Sequence, residues 1–299
     1  MTARTAADNP FAASTTHALR GDYSNVSADY TVAQPAADSY TAEEQARWRF
    51  LYDRQSKLLR DYAAPEYVRG LEKLSAADAI PRLDDASDVL RKATGWELVA
   101  VPGLIPNDAF FRLLANRKFP VAWWMRRAEE LDYLVEPDIF HDFFGHVPLL
   151  SDPVFADYMQ AYGEGGIKAI RLDADHLLAR LYWYVVEFGL VRTDSGVKAF
   201  GAGMLSSKGE TIYSVEHPHP HRVAYDMERV LRTDYLVDDY QKTYFVVESF
   251  DQLFEDAKSD LTPVYERIKA LPTIDPETLT DTDVVIHRGR WPAPRPRDV

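Results

Sequence analysis

Two histidines and one glutamate carry the clearest chemistry in this sequence. Residues 136–148 read Glu-Pro-Asp-Ile-Phe-His-Asp-Phe-Phe-Gly-His-Val-Pro, which sets His141 and His146 five positions apart among apolar neighbours. Glu187 follows in the run Leu-Tyr-Trp-Tyr-Val-Val-Glu-Phe-Gly-Leu. A lone carboxylate among so many apolar side chains is costly to bury ionised unless something compensates it. A metal ion would do so. Two imidazoles and one carboxylate, with further positions open to water or dioxygen, form the facial triad of non-haem Fe(II) oxygenases. The same ligand types with one open position also serve hydrolytic zinc. Taken singly, each residue has a plainer use, as a histidine bonded within the core or a glutamate paired with an arginine.

The backbone must bring the three together. Positions five apart on an α-helix point about 140° away from each other, unlike the i, i+4 histidines of zinc proteases. Both imidazoles therefore meet one metal only if the helix ends between them, and Gly145 with Pro148 supplies a break. Upstream, Thr41-Ala-Glu-Glu44 has the capping-box pattern and predicts a helix carrying Trp48, Leu51, Tyr52, Leu58 and Leu59. Further helices are expected over 65–75, 85–94, 107–116, 137–144, 153–162, 175–189, 223–232 and 250–269. Short strands are expected over 96–101, 119–124, 235–237 and 243–248, and Thr193-Asp-Ser-Gly196 reads as a turn between two extended stretches. Gly163-Glu-Gly-Gly166 reads as a loop, and so does the stretch in which His217, His219 and His221 alternate with prolines. The pattern is that of an α+β chain, mainly α, with many helices and a few short β-ribbons around the pocket. Residues 1–38 read as a flexible N-terminal arm, 39–270 as a single catalytic domain and 271–299 as a C-terminal extension.

Composition narrows the function classes. The chain has 299 residues, 46% of them hydrophobic, enough for one large core. Its formal net charge of −13 speaks against nucleic acid and acidic membrane surfaces as partners. With no cysteine, disulfides, thiolate zinc sites, iron–sulfur clusters and cysteine nucleophiles are all excluded. No apolar run reaches the length of a membrane span, and the first thirty residues lack the apolar stretch of a secretory signal, so a cytoplasmic protein is expected. Gly201-Ala-Gly203 lacks the third glycine of a dinucleotide fingerprint, and neither a phosphate-binding loop nor a serine-hydrolase motif occurs.

With the triad and its flanks in hand, the chain resembles the catalytic domain of the pterin-dependent aromatic amino acid hydroxylases. The likeness is carried, in matching order, by Val-Pro-Gly-Leu-Ile-Pro (101–106), the segment 136–149, Leu-Tyr-Trp-Tyr-Val-Val-Glu-Phe-Gly-Leu (181–190), Gly-Ala-Gly-Met-Leu-Ser-Ser-Lys-Gly-Glu (201–210) and Tyr-Phe-Val-Val-Glu-Ser-Phe (244–250). It spans roughly residues 45–260 and is strongest toward the short bacterial phenylalanine hydroxylases. The resemblance implies a phenylalanine 4-monooxygenase, in which Fe(II) and tetrahydrobiopterin together activate O2 and L-phenylalanine becomes L-tyrosine. His141, His146 and Glu187 would then be the catalytic metal ligands. Arg126 would clamp the substrate carboxylate, a task suited to its planar fork. Pro137, Trp183, Gly203, Ser206 and Val237 would lie about the substrate, with Phe140 and Phe188 also lining the pocket. Asp138 would brace Arg126 or a ligand imidazole. The pterin would lie over Phe110, its edge read by the backbone of Gly103, Leu104 and Ile105, with Asp142 standing where many relatives have Glu. Leu134 stands where the animal enzymes have Thr.

Within the family Val237 would favour phenylalanine without forbidding tyrosine, because phenylalanine hydroxylases carry an apolar residue at the matching position and tyrosine hydroxylases carry Asp. Tyrosine or tryptophan hydroxylation is the alternative within the family. A zinc hydrolase and a non-catalytic binding module are the alternatives outside it. No C-terminal heptad helix follows the core, so a monomer is expected.

Overall fold

Thr41 closes the start of the first long helix in the way its sequence predicts. In a computed structural model describing residues 20–290 apart from 133, 135 and 238, its hydroxyl accepts the Glu44 N–H at 3.2 Å. The Glu44 carboxylate returns to the Thr41 N–H at 2.8 Å. Such a cap is worth about 1 kcal/mol. The helix, α1 (Ala42–Tyr62), is followed by α2 (Pro65–Leu74), with proline at its first position, and α3 (Leu83–Ala93). Strands β1 (Glu97–Val101) and β2 (Lys118–Ala122) pair in parallel across the crossover helix α4 (Asn107–Ala115).

The chain then reaches the segment bearing both histidines, and here the expectation of a helix break fails. Phe140–His146 is a π-helical turn and no break separates His141 from His146. In a π-helix the backbone bond runs from i to i+5, so residues five apart stand one above the other. Tertiary contacts hold the widened turn: the Tyr67 hydroxyl donates to the Phe144 carbonyl at 2.6 Å, and Trp48 of α1 sits edge-on to Phe140 and Phe143.

Helix α5 (Pro153–Arg171) runs straight through the glycines that read as a loop. Packing outweighs the poor helix propensity of glycine there. A methyl group at Gly166 would run into the Phe111 ring of α4, so the close approach of α4 and α5 requires a bare backbone. Helix α6 (Asp175–Leu181) passes into a second π-helical turn, Tyr182–Glu187, rather than continuing regularly to 189. The Phe188 N–H bonds the Trp183 carbonyl five residues back, at 3.0 Å.

Beyond it, β3 (Leu190–Thr193) and β4 (Gly196–Ala199) form the hairpin expected from Thr193-Asp-Ser-Gly196. Two helices that sequence periodicity did not predict follow, α7 (Ala202–Leu205) and α8 (Lys208–Glu216). Next come β5 (His221–Ala224), α9 (Met227–Arg232) and β6 (Thr243–Val247). The span read as one helix over 250–269 is two, α10 (Phe250–Lys258) and α11 (Thr262–Ile268), parted before Pro263. Residues 235–237 form no strand. The last strand, β7 (Val285–His287), completes a mixed sheet in the order β4-β3-β6-β5-β7, broader than the ribbons expected. No described helix is long and apolar enough to cross a membrane.

One continuous aromatic-rich core joins α1, the first π turn, α5, the second π turn and the sheet. Residues 20–38, part of the expected arm, lie against it: Val32 N–H bonds the Ala100 carbonyl at 2.8 Å, and Arg20 N–H bonds Glu136 at 2.9 Å. The rest of that arm and the end of the C-terminal extension lie outside the described residues.

Candidate active site

The two π turns bring the triad together. His141 Nε2 lies 3.6 Å from one carboxylate oxygen of Glu187, and His146 Nε2 lies 3.2 Å from the other. The two imidazole rings stand edge to face, 5.1 Å apart. Neighbouring ligands of one ion, each about 2.1 Å from it and at right angles, are about 3 Å apart, so these spacings fit three donors around one metal. Burial by itself would raise the Glu187 carboxyl, but the His146 and His141 imidazoles outweigh it and hold the group well below the usual carboxylate range. A carboxylate kept ionised beside two imidazole nitrogens is a ligand set for a divalent cation.

Hydrogen bonds settle which nitrogen of His141 is offered. Ser206 Oγ donates to the Ala202 carbonyl at 2.8 Å, so its oxygen accepts from His141 Nδ1, 2.9 Å away. That leaves the Nε2 lone pair pointing toward Glu187. Ser206, expected beside the substrate, thus orients the His141 imidazole. Phe119 and Tyr182 flank the His146 ring at 5.1 and 6.1 Å.

Asp142 is a second carboxylate close to the histidines: His141, Asp142 and His146 have ligand atoms within 4.8 Å of one another. Its Oδ2 accepts the Ala122 N–H at 2.7 Å, which ties it to the end of β2. Burial pushes its carboxyl up to about 6.

Arg126 and Asp138 form a buried pair beside the triad. Arg126 Nε and Nη2 donate to the two oxygens of Asp138 at 2.9 and 2.8 Å, and the Arg126 backbone N–H adds a third bond at 2.8 Å. Asp138 also accepts the His141 N–H at 3.0 Å, so one carboxylate braces both the arginine and the first turn of the histidine segment. Burial opposes its charge, but the Arg126 guanidinium and these bonds hold its carboxyl below the ordinary range. Asp138 therefore occupies the Nε–Nη2 edge of the fork, and Nη1 reaches the Leu131 carbonyl at 3.5 Å. Arg127 is exposed.

The other expected residues divide between the pocket and its surroundings. Trp183 stacks on Tyr235 at 4.6 Å and leans on Phe188 at 5.0 Å. Gly203, in α7, faces Phe188 and the Glu187 carbonyl at a distance that leaves little space for a side chain. Pro137 is half-buried next to Asp138. Phe140 belongs to the core instead, fully buried and stacked on Phe144 at 4.7 Å. Val237 lies on a loop and is 43% exposed, so its ring-lining role is not met by burial in this conformation. Phe110 is joined to the triad through Tyr182, edge-on at 5.4 Å. The loop of Gly103, Leu104 and Ile105 bends at Gly103, whose φ of 153° and contact with Glu136 leave no space for a side chain. Tyr23 donates to the Leu104 carbonyl at 2.9 Å, laying the N-terminal segment on that loop. His221, one of the three alternating histidines, bonds Gly289 N–H at 2.8 Å and serves the sheet edge. Sequence reasoning missed Gln241, which bonds the Trp183 indole N–H at 3.1 Å, and nothing in its local pattern marks it.

Comparison with known proteins agrees with this geometry. A family model described as biopterin-dependent aromatic amino acid hydroxylase matches residues 1–287. A phenylalanine-4-hydroxylase of Ralstonia nicotianae is 53% identical over 262 residues, covering 87% of this chain and 83% of that protein. A crystal structure of Chromobacterium violaceum phenylalanine hydroxylase with bound oxidized Fe(III) superposes with a TM-score of 0.85 at 50% identity, over 88% of this chain and 96% of that one. Another from the same organism, with iron and phenylalanine bound, gives 0.83 at 49% identity over 87% and 94%.

Proposed function

Because the chain belongs to the biopterin-dependent aromatic amino acid hydroxylases, we infer that it is a phenylalanine 4-monooxygenase, forming L-tyrosine from L-phenylalanine with O2 and tetrahydrobiopterin at a mononuclear Fe(II) site. The observation that carries this reading is the triad, with two imidazole Nε2 atoms and one ionised carboxylate facing a common point. In this reading His141, His146 and Glu187 hold the iron. Glu187 takes that place in preference to Asp142 because each of its oxygens faces an imidazole nitrogen, whereas Asp142 is tied to the Ala122 N–H. Asp142 is left for the cofactor side.

Bound Fe(II) and tetrahydropterin supply the electrons that activate O2. The chain's own residues bind, orient and exclude water. Arg126 takes the phenylalanine carboxylate while Asp138 holds its Nε–Nη2 edge still. Trp183, Phe188, Pro137 and Gly203 shape an apolar wall for the ring, and a dry wall suits a reactive oxidant. Phe110 offers its face to the flat heterocycle, with the backbone of Gly103, Leu104 and Ile105 along its edge. A wall with no polar partner for a ring hydroxyl favours phenylalanine without forbidding tyrosine, since such a pocket discriminates by only about 1–3 kcal/mol.

We assign the catalysis to residues 39–270, flanked by an N-terminal arm and a C-terminal extension. The enzyme works as a monomer, a state that light scattering at micromolar concentration reads directly. Its place is the cytoplasm, whose reducing conditions suit Fe(II) and a reduced pterin. The test is turnover of phenylalanine, tyrosine and tryptophan, each with Fe(II), tetrahydropterin and O2. The highest kcat/KM is expected for phenylalanine. A preference for tyrosine would overturn the substrate assignment.

A further inference from the structure

Gln241 is 1% exposed although it closes the loop that carries Val237. Both ends of its amide are engaged. Oε1 accepts from the Trp183 indole N–H at 3.1 Å and from the Leu236 N–H at 3.3 Å. Nε2 donates to the Leu236 carbonyl at 2.7 Å and the Asp239 carbonyl at 3.4 Å. An amide offers two donor hydrogens and two acceptor lone pairs, so this one is fully used. Below it, the Gln241 backbone N–H donates to Glu210 at 3.3 Å, and the Tyr244 hydroxyl donates to the same Glu210 oxygen at 2.8 Å. Both residues are buried. The loop is thus folded back on one side chain, and that side chain is fixed from beneath.

In the proposed site the other end of the connection is the pocket wall. Trp183 stands four positions before Glu187 in the same π turn. Its ring stacks on Tyr235, which enters the loop, and leans on Phe188, which follows Glu187. We propose that Gln241 is a positioning residue for phenylalanine: it pins the Trp183 indole to the Val237 loop and so sets the width of the ring pocket beside the triad. This rests on the reading of the site as a phenylalanine hydroxylase. A purely structural amide would stabilise the fold without touching substrate fit. A pin acting through Trp183 couples the two residues energetically.

The test compares wild type, Gln241→Leu, Trp183→Phe and the double variant. Trp183→Phe keeps an aromatic ring but removes the indole donor, and it carries the test alone if Gln241→Leu does not fold. Loss of the bond unties the indole from the loop, so KM for phenylalanine and its calorimetric dissociation constant should each rise roughly tenfold in either single variant. KM for tetrahydropterin and iron content should stay within about twofold, and the double variant should be no worse than the worse single one. Unchanged phenylalanine KM in both single variants, or fully additive losses, would overturn the proposal. Hydrogen exchange at the Leu236 amide reads the pin without substrate, so it separates this proposal from the functional assignment. Faster exchange in Gln241→Leu is expected even if another amino acid proves to be the substrate, and unchanged exchange would refute the pin.

Discussion

His146 Nε2 and Glu187 Oε1 face each other across 3.2 Å, although forty-one positions of chain separate the two residues. Each sits at the end of its own π-helical turn. An imidazolium–carboxylate pair would satisfy that distance alone. The His141 nitrogen on the second oxygen, with its tautomer fixed by Ser206, makes a three-donor metal cradle the better account.

Glu187→Ala should therefore lose most of its iron while keeping its fold. The open positions around a facial triad hold only water or substrate and do not replace a missing carboxylate. Metal analysis after gel filtration should show at least about a tenfold lower iron content, with an unchanged circular dichroism spectrum. Retention of a full equivalent would remove Glu187 from the ligand set.

Ser206→Ala removes the acceptor that selects the His141 tautomer. Outer partners of ligand imidazoles are worth about 10- to 100-fold in affinity or activity. A loss of iron affinity in that range is expected by competitive chelation, with a smaller change in thermal stability. Wild-type affinity in this variant would make the serine a bystander.

Arg126 and Asp138 can be separated by two substitutions. Asp138→Asn leaves a buried guanidinium without its counter-charge, a change that costs about 3–5 kcal/mol when such pairs are broken. Denaturant unfolding should record it. Arg126→Lys should raise KM for phenylalanine by about tenfold or more, because an ammonium cannot bind two carboxylates edge by edge. An unaltered KM would place the substrate carboxylate elsewhere.

How much of this was legible in the sequence depended on the kind of interaction. The candidate ligands stood out because two histidines and a buried glutamate have few plain uses together. Their geometry was not, since a π turn carries no residue signature. The widening at 140–146 is held by Tyr67 and Trp48 from other helices. The helix through Gly163–Gly166 was hidden for a related reason, as glycine propensity argues for a loop and only the close approach of α4, with Leu114 opposite Gly163 and Phe111 opposite Gly166, explains the need for it. Thr41 and Glu44, whose cap is local, were read correctly from four residues. Gln241 lay beyond reach, because every bond that gives it a role comes from the folded loop.

Glu210 gives the fold a specific pH response. Burial pushes its carboxyl up from 4.5 to about 7, despite the bonds from Tyr244 and the Gln241 N–H. The folded protein thus holds this proton more tightly than the unfolded chain. The stability it confers is present at low pH and falls as pH rises from about 4.5 to about 7. Glu210→Gln keeps an acceptor oxygen and removes the ionisation. Its melting temperature relative to wild type should climb between pH 5 and pH 8, by an amount equivalent to about 1–3 kcal/mol. A pH-independent difference would mean that Glu210 stays ionised throughout.

As a phenylalanine 4-monooxygenase, this chain would transfer one oxygen atom from O2 to the phenylalanine ring at the His141, His146 and Glu187 site. Turnover under 18O2, with Fe(II) and tetrahydropterin, measures it most directly by mass spectrometry of the product. Tyrosine carrying one 18O atom is expected, formed only when both iron and pterin are present, with no tyrosine from Glu187→Ala. Absence of tyrosine from the wild type, label drawn from water, or undiminished labelling in Glu187→Ala would contradict it.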